Sequence, residues 1–187
     1  MVAEIACVVV DSGDHNSYHN LELAVKTQDA INKTLKASSN VLSRYVDDLS
    51  DADLLQRPGP GCNHIAWQLG HLIASENQLL EMVAPGAGIE LPAGFTEQHD
   101  KSKKDDDNPE HFLSKQRYQE LFEKVHAATY AAIAKMSDAD LDKPGPTRFQ
   151  PMFPTVGDLV ILIATHGLMH AGQFVPVRRK LGKPVVI

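Results

Sequence analysis

Thr155-Val-Gly-Asp158-Leu-Val-Ile-Leu-Ile-Ala-Thr165-His-Gly-Leu-Met-His170-Ala-Gly-Gln-Phe-Val-Pro176-Val-Arg-Arg-Lys-Leu-Gly182 reads as one long helix. Thr155 and Asp158 have capping-box spacing, although the fourth position is usually Glu or Gln. Leu159, Val160, Leu162, Ile163 and Met169 supply apolar contacts, Pro176 is a kink point, and Gly182 marks the end. His166 and His170 are four residues apart, so on a helix their rings project from adjacent turns of one face. The Glu that a helical zinc protease carries directly after its first His is absent, which disfavours that chemistry.

A helix this apolar needs partners, and the chain upstream predicts three. From about Leu21 to Leu49, apolar residues at 24, 31, 35, 42, 45 and 49 recur at helical intervals. Arg57-Pro58-Gly59-Pro60-Gly61 breaks the pattern. Asn63 is placed to cap a second helix over about 64–84, which Pro85-Gly86 stops. Residues 85–108, rich in Gly, Pro and charge, read as a long surface connection. Asn108-Pro109-Glu110 then reads as the start of a third helix that continues to about Met136. Residues 1–19 show no clear period and read as an irregular arm. The expected fold is all-α: a four-helix bundle over 20–187 with long irregular connections.

The chain also echoes itself. Leu49-Ser-Asp-Ala-Asp-Leu54 before Arg57-Pro-Gly-Pro60 is matched by Met136-Ser-Asp-Ala-Asp-Leu141 before Lys143-Pro-Gly-Pro146. This reads either as two related helical hairpins facing each other across a site, or as reuse of one good helix stop.

Composition narrows the function classes. With 187 residues, 43% hydrophobic and 22% charged, the chain suits one globular domain. A net charge of −6, with 18 scattered Lys and Arg, gives no basic footprint, so no nucleic-acid partner is expected. No wholly apolar run approaches the ~20 residues of a membrane span. The expected setting is therefore cytoplasmic. Cys7 and Cys62 are too few for a disulfide framework and too far apart in sequence for a close-paired thiolate clip.

Nine histidines carry more information. His71 lies mid-helix within Leu69-Gly-His-Leu-Ile73, where a buried imidazole needs a hydrogen bond or a metal. Gly70 costs roughly 1 kcal/mol in a helix interior relative to alanine, which suggests the close approach of another group. His64 is the rival third ligand. It lies about 10 Å from His71 along the axis at 1.5 Å per residue, so the two should not share an ion. His64 falls in the first turn, where exposure or a capping role explains it, and His71 is expected to lie deeper. His15 and His19 sit in the arm, and His99, His111 and His126 have no companion at useful spacing. His71, His166 and His170 are thus the expected ligands, and three neutral imidazoles leave a coordination position open on a divalent ion.

Trp67-Gln-Leu-Gly-His71-Leu-Ile-Ala-Ser-Glu76 and Thr165-His166-Gly-Leu-Met-His170-Ala-Gly-Gln173, followed by Arg178-Arg-Lys-Leu-Gly182, resemble the DinB/YfiT-like superfamily. The likeness covers roughly residues 20–182. It implies an up-down-down-up four-helix bundle, a three-histidine metal site falling on His71, His166 and His170, and frequent homodimers. Assigned members of the family include thiol-dependent transferases and isomerases. The arm and the 85–108 connection do not match it.

The chemistry expected from these readings is a divalent metal, zinc or nickel first, that binds a low-molecular-weight thiol, lowers its pKa and presents it to a small electrophile for S-transfer. Metal-dependent hydrolysis and a noncatalytic, stress-associated metal-binding role are the alternatives. Trp67 is expected in the core. Glu76 and Asp158 are candidates to orient a ligand imidazole, and Gln173 to touch metal-bound water. Arg178, Arg179 and Lys180 read as cations favouring the helix dipole, with attraction of an acidic thiol as the rival reading.

Overall fold

The computed structural model describes residues 25–186. The predicted arm, with Cys7, His15 and His19, lies outside that range, as do the first residues of the predicted first helix. Seven α-helices follow in order: α1 Thr27–Val46, α2 Asp51–Leu54, α3 Ile65–Val83, α4 Phe95–Gln98, α5 Lys115–Ile133, α6 Asp138–Leu141 and α7 Val156–Lys180. The four long ones, α1, α3, α5 and α7, are the expected bundle.

Their neighbours in space run α1–α7–α3–α5 and back to α1. Sequence-adjacent α1 and α3 are therefore diagonal, and so are α5 and α7. Two connections must cross a bundle diagonal, and these are the two that carry the sequence echo. In each, the Ser-Asp-Ala-Asp-Leu segment forms one helical turn closed by a reciprocal capping box, Ser50 with Asp53 and Ser137 with Asp140. Proline then ends the turn and the chain crosses. Neither half is a hairpin, so the reading as two facing hairpins is corrected. The echo is one solution to one topological problem used twice.

Several boundaries differ from the sequence expectations for local reasons. The cap of α3 is His64, not Asn63: its Nδ1 accepts from the Trp67 amide at 3.0 Å. Asn108 caps only a 3₁₀ turn, Pro109–His111, after which Ser114 caps α5 afresh. The 85–108 connection is not simply a surface loop, because its Phe95 and His99 are buried. Thr155 and Asp158 do form a capping box, so Asp serves where Glu or Gln is usual, and that role fully accounts for Asp158. α7 continues through Pro176; Gly172, whose carbonyl loses its partner, is exposed to water.

One window of α7 reaches a mean hydropathy of 1.4, the only such helix among the described residues. Its apolar face is nonetheless used inside the bundle: Leu159, Val160, Ile163, Phe174 and Val177 are buried. Arg178 at its far end is buried too, and donates to the Tyr45 carbonyl, the Asp48 carboxylate and the Pro184 carbonyl. It fastens the end of α7 to the end of α1, so the Arg178–Lys180 cluster is split. Only Arg179 and Lys180 are exposed.

The core divides into two apolar clusters, one around Leu42, Leu69, Tyr118 and Phe174 and the other around Leu35, Leu79, Ile133 and Leu159. Between them in sequence, on all four long helices, stand polar side chains: Ser38, Glu76, His126 with Thr129, and His166 with His170. Buried polar groups need partners, and the partners these groups find define the site.

Candidate metal centre

α3 supplies His71 and α7 supplies His166 and His170. One ring nitrogen from each lies within 4.8 Å of the others. His166 and His170 present their Nε2 atoms to each other at 3.2 Å. Zinc–imidazole bonds of about 2.0–2.1 Å at tetrahedral angles require nitrogens about 3.3 Å apart. That pair therefore already has the spacing of two ligands on one ion, and a ring nitrogen of His71 lies within 4.8 Å of both. The rings approach edge to face or tilted rather than stacked, with centroids 4.9–5.6 Å apart.

Two of the rings are held by their own surroundings. His170 donates from Nδ1 to the Gln68 side-chain oxygen at 2.8 Å, leaving Nε2 as the lone pair, while Gln68 is itself fixed by donating to the Asn63 carbonyl. His71 stacks on Trp67 with centroids 5.0 Å apart and planes 5° from parallel. Trp67 is buried as expected, so it is at once core and wall of the site, and its indole nitrogen donates to the Asp100 carbonyl. Gly167, between the two α7 histidines, allows α1 to come close: an added Cβ would lie 2.9 Å from the Ser38 hydroxyl.

Burial keeps all three imidazoles neutral. It pushes His170 down to about 3 and His166 to about 4, with neighbouring imidazoles adding to the effect. His71 is lowered by burial and then by the Lys101 charge. Lone pairs are thus available to a cation at neutral pH with no proton to displace.

The same shifts set a pH dependence. Unfolded imidazoles titrate near 6.5, so between about pH 6.5 and 4 the unfolded chain binds more protons than the folded one, and stability must fall as pH is lowered. His64 and His99, both lowered by burial, act in the same sense. His126 opposes them: burial disfavours its charge, but the Glu76 hydrogen bond and carboxylate outweigh this and raise it. Metal-free protein is expected to lose thermal stability on acidification from about pH 7 to pH 5, before most carboxylates protonate. A His166→Ala/His170→Ala variant should show a shallower slope. An unchanged slope in that variant would show that these two rings are not held neutral by burial.

The remaining candidates fall elsewhere. His64 has the capping role expected but not the exposure: it is fully buried, with Nε2 at the Asp106 carbonyl, whereas His71 is half-buried. The relative depth expected of the two is reversed, because the 85–108 connection folds over the start of α3. His99 bridges the Phe95 carbonyl and the Tyr118 hydroxyl, at 2.8 Å each. His111 pairs with Asp106 at the surface. Glu76 pairs with His126 and accepts from Thr129, so it holds no ligand ring. Gln173 is exposed. Cys62 is an exposed free thiol in the turn before α3 and does not line the cleft beside the histidines.

Sequence reasoning missed Gln68, the residue that orients His170. The available signal was its position three residues before His71, on the adjoining turn of the same helix. Gln68→Leu removes the acceptor at nearly constant volume. It is expected to weaken metal binding about 10- to 100-fold, the usual range for a group that orients a ligand, in a chelator-competition titration. Undiminished affinity would mean the His170 tautomer is set by something else.

His71 and His166 open onto a cleft of about 470 Å³, lined also by Ser75, Gln78, Thr96, Lys101, Arg148 and Phe149. An ion held by the three rings would therefore have an accessible face.

The sequence profile described as the DinB superfamily matches residues 34–174. Among solved structures, the chain is similar to a conserved protein from Enterococcus faecalis, at 18% identity and a TM-score of 0.65, covering 86% of this chain and 100% of that one. It is also similar to YfiT from Bacillus subtilis, described as a probable metal-dependent hydrolase with an unusual four-helix bundle topology, at 15% identity and a TM-score of 0.58, covering 87% and 93%. These two likenesses are of fold. No curated protein matches the chain.

Proposed function

The chain belongs to the DinB superfamily, and from that premise we propose that it is a metal-dependent enzyme whose divalent cation, zinc or nickel, is held by His71, His166 and His170. The observation that carries the reading is the convergence of three neutral imidazoles, two of which, His71 and His166, line an open cleft. A bound divalent ion supplies Lewis acidity that lowers the pKa of a thiol or a water entering its open position.

The chain's own residues favour the thiol. Among the described residues no Cys lines the cleft, and although Ser75 lies 3.5 Å from the His71 ring nitrogens, no carboxylate hydrogen-bonds that ring to complete a Ser-His-Asp relay, so we take the nucleophile to come from outside. The one carboxylate on the lining, Asp100, accepts the Ser102 amide through Oδ1 as a turn cap, and Glu76 is committed to His126 and Thr129. A hydrolase would profit from a free general base, whereas a thiol, ordinarily near 8.5, needs less help to ionise. Trp67 and Gln68 hold two of the three ligand rings, and Phe149 with Leu79 gives the cleft an apolar side for an electrophile. We therefore read S-transfer from a low-molecular-weight thiol to a small electrophile as the reaction. Hydrolysis is the second reading, favoured by the description of the Bacillus subtilis neighbour.

Elemental analysis of protein purified without a histidine tag or added metal tests the ion, and stoichiometric zinc or nickel is expected. Cobalt-substituted protein then tests the reaction. Glutathione, bacillithiol or mycothiol should shift the cobalt spectrum and support turnover of a generic electrophile, with His166→Ala inactive. Turnover of an ester or amide without thiol would establish hydrolysis. Stoichiometric metal with neither activity would leave a noncatalytic metal-binding protein, and no metal would overturn the proposal.

A further inference from the structure

Two connections meet at the mouth of the cleft, and each brings a cation. Lys101 begins the 3₁₀ turn after α4, and Arg148 lies in the crossing between α6 and α7. Both line the cleft beside His71 and His166. Among the described residues neither is in an ion pair, so both charges remain available to a molecule in the cleft. Asp100, on the same lining, already accepts the Ser102 amide. The lining therefore carries two positive charges against one negative before any divalent ion is counted. The Arg148 guanidinium stands over the Phe149 ring, 4.5 Å from its centroid, which restricts a side chain that would otherwise be free in solvent.

We propose that the cleft takes a small acid: a substrate or co-substrate whose carboxylate or phosphate oxygens are held by Lys101 and Arg148 while its reacting atom sits at the three histidines. The inference rests on the metal-centre reading and adds the class of molecule bound. Arg148 offers a planar fork of donors suited to two oxygens of one anion, and Lys101 a point charge that tolerates several geometries. Because the connections enter from opposite sides of the bundle's sequence, the grip forms only in the folded chain. The rival reading of the Arg178–Lys180 cluster, attraction of an acidic thiol, is not carried by Arg178, which is locked in the core.

The test uses cobalt-loaded full-length protein and two thiols that report through the cobalt spectrum, mercaptosuccinate and uncharged thioglycerol. In a Lys101→Gln/Arg148→Gln variant, mercaptosuccinate should bind about tenfold more weakly, as expected for loss of two charge-assisted contacts, and thioglycerol within twofold of wild type. Chelation of cobalt by the probe's own carboxylates is common to both proteins and cancels in the ratio. The advantage of mercaptosuccinate should also shrink as salt is raised. Equal losses for both thiols, or no loss for either, would overturn the inference while leaving the metal centre intact. Failure of wild-type protein to take up cobalt would overturn the metal-centre reading and this inference with it. Both positions are exposed, so folding of the variant, checked by cobalt stoichiometry and circular dichroism, is expected to be unaffected.

Discussion

His170→Ala protein is expected to purify without stoichiometric metal, while His64→Ala protein keeps its metal and loses stability instead. The two residues are the same chemical group and both are buried, so the contrast isolates what position does. His170 turns a lone pair toward His166 at 3.2 Å, with Gln68 fixing the tautomer that makes it a lone pair. Structural zinc sites with four ligands contribute about 10–16 kcal/mol, or roughly 3–4 kcal/mol per ligand if shared evenly. Loss of one of three ligands therefore predicts an affinity about 10²–10³ lower, below what survives dialysis. His166→Ala and His71→Ala should behave similarly. His64 spends both ring nitrogens on backbone, accepting the Trp67 amide and meeting the Asp106 carbonyl. Its removal takes away the α3 cap, worth about 1 kcal/mol, and the tie to the covering connection. Metal-to-protein ratios and competition titrations of the four variants read the result; metal retained in His170→Ala but lost in His64→Ala would reverse the assignment.

The long helices were legible because their apolar periods are sustained over 19–25 residues, long enough for the pattern to dominate local exceptions. The boundaries were not: near residue 64 two adjacent cap candidates competed, and beyond residue 108 the turn that Asn108 caps stops short, so that Ser114 must cap α5 afresh. Histidine is not a favoured cap by propensity; His64 takes the role because Phe112 packs edge to face on its ring at 4.5 Å and the Asp106 carbonyl satisfies its other nitrogen. Both partners come from about 45 residues away, beyond the reach of any local rule.

The candidate triad was legible for a different reason. His166 and His170 are fixed relative to each other by helix geometry alone, whereas His71 was chosen over His64 for a depth that the fold gives to His64 instead. The charges that face the triad depend on how connections fold back. Residues 85–108 look like solvent-exposed chain by composition, yet two aromatic rings within them, Phe95 and His99, are buried against α3 and α5. A charged and Gly-rich stretch can be mostly exposed and still be pinned by two residues, and this pinning delivers Lys101 to the cleft.

That pinning makes Gly70→Ala a strongly disruptive substitution. A Cβ built on Gly70 would lie 2.0–2.3 Å from three atoms of the His99 ring, far inside contact distance and against a ring that cannot step aside. His99 is held at both nitrogens, by the Phe95 carbonyl and the Tyr118 hydroxyl, and is packed by Phe95 and Phe112. Alanine gains about 1 kcal/mol over glycine in a helix interior, so in an open site the change would stabilise. Here overpacking costs about 1–3 kcal/mol or more; expulsion of His99 would leave the buried Tyr118 hydroxyl without that ring as a partner and uncover Phe95. The expected net is a loss of about 2 kcal/mol, or roughly 4–8 °C in Tm for a chain of this size. His99 is also what holds Asp100 and Lys101 over the site, so the affinity of cobalt-loaded protein for mercaptosuccinate should fall with it. The cause is separable from general helix damage by a double-mutant cycle. His99→Ala alone opens a cavity and destabilises, but in that background Gly70→Ala should cost little or even stabilise, giving a coupling of about 2 kcal/mol or more. Additive losses in the double variant would show that the glycine is required for some reason other than the His99 ring.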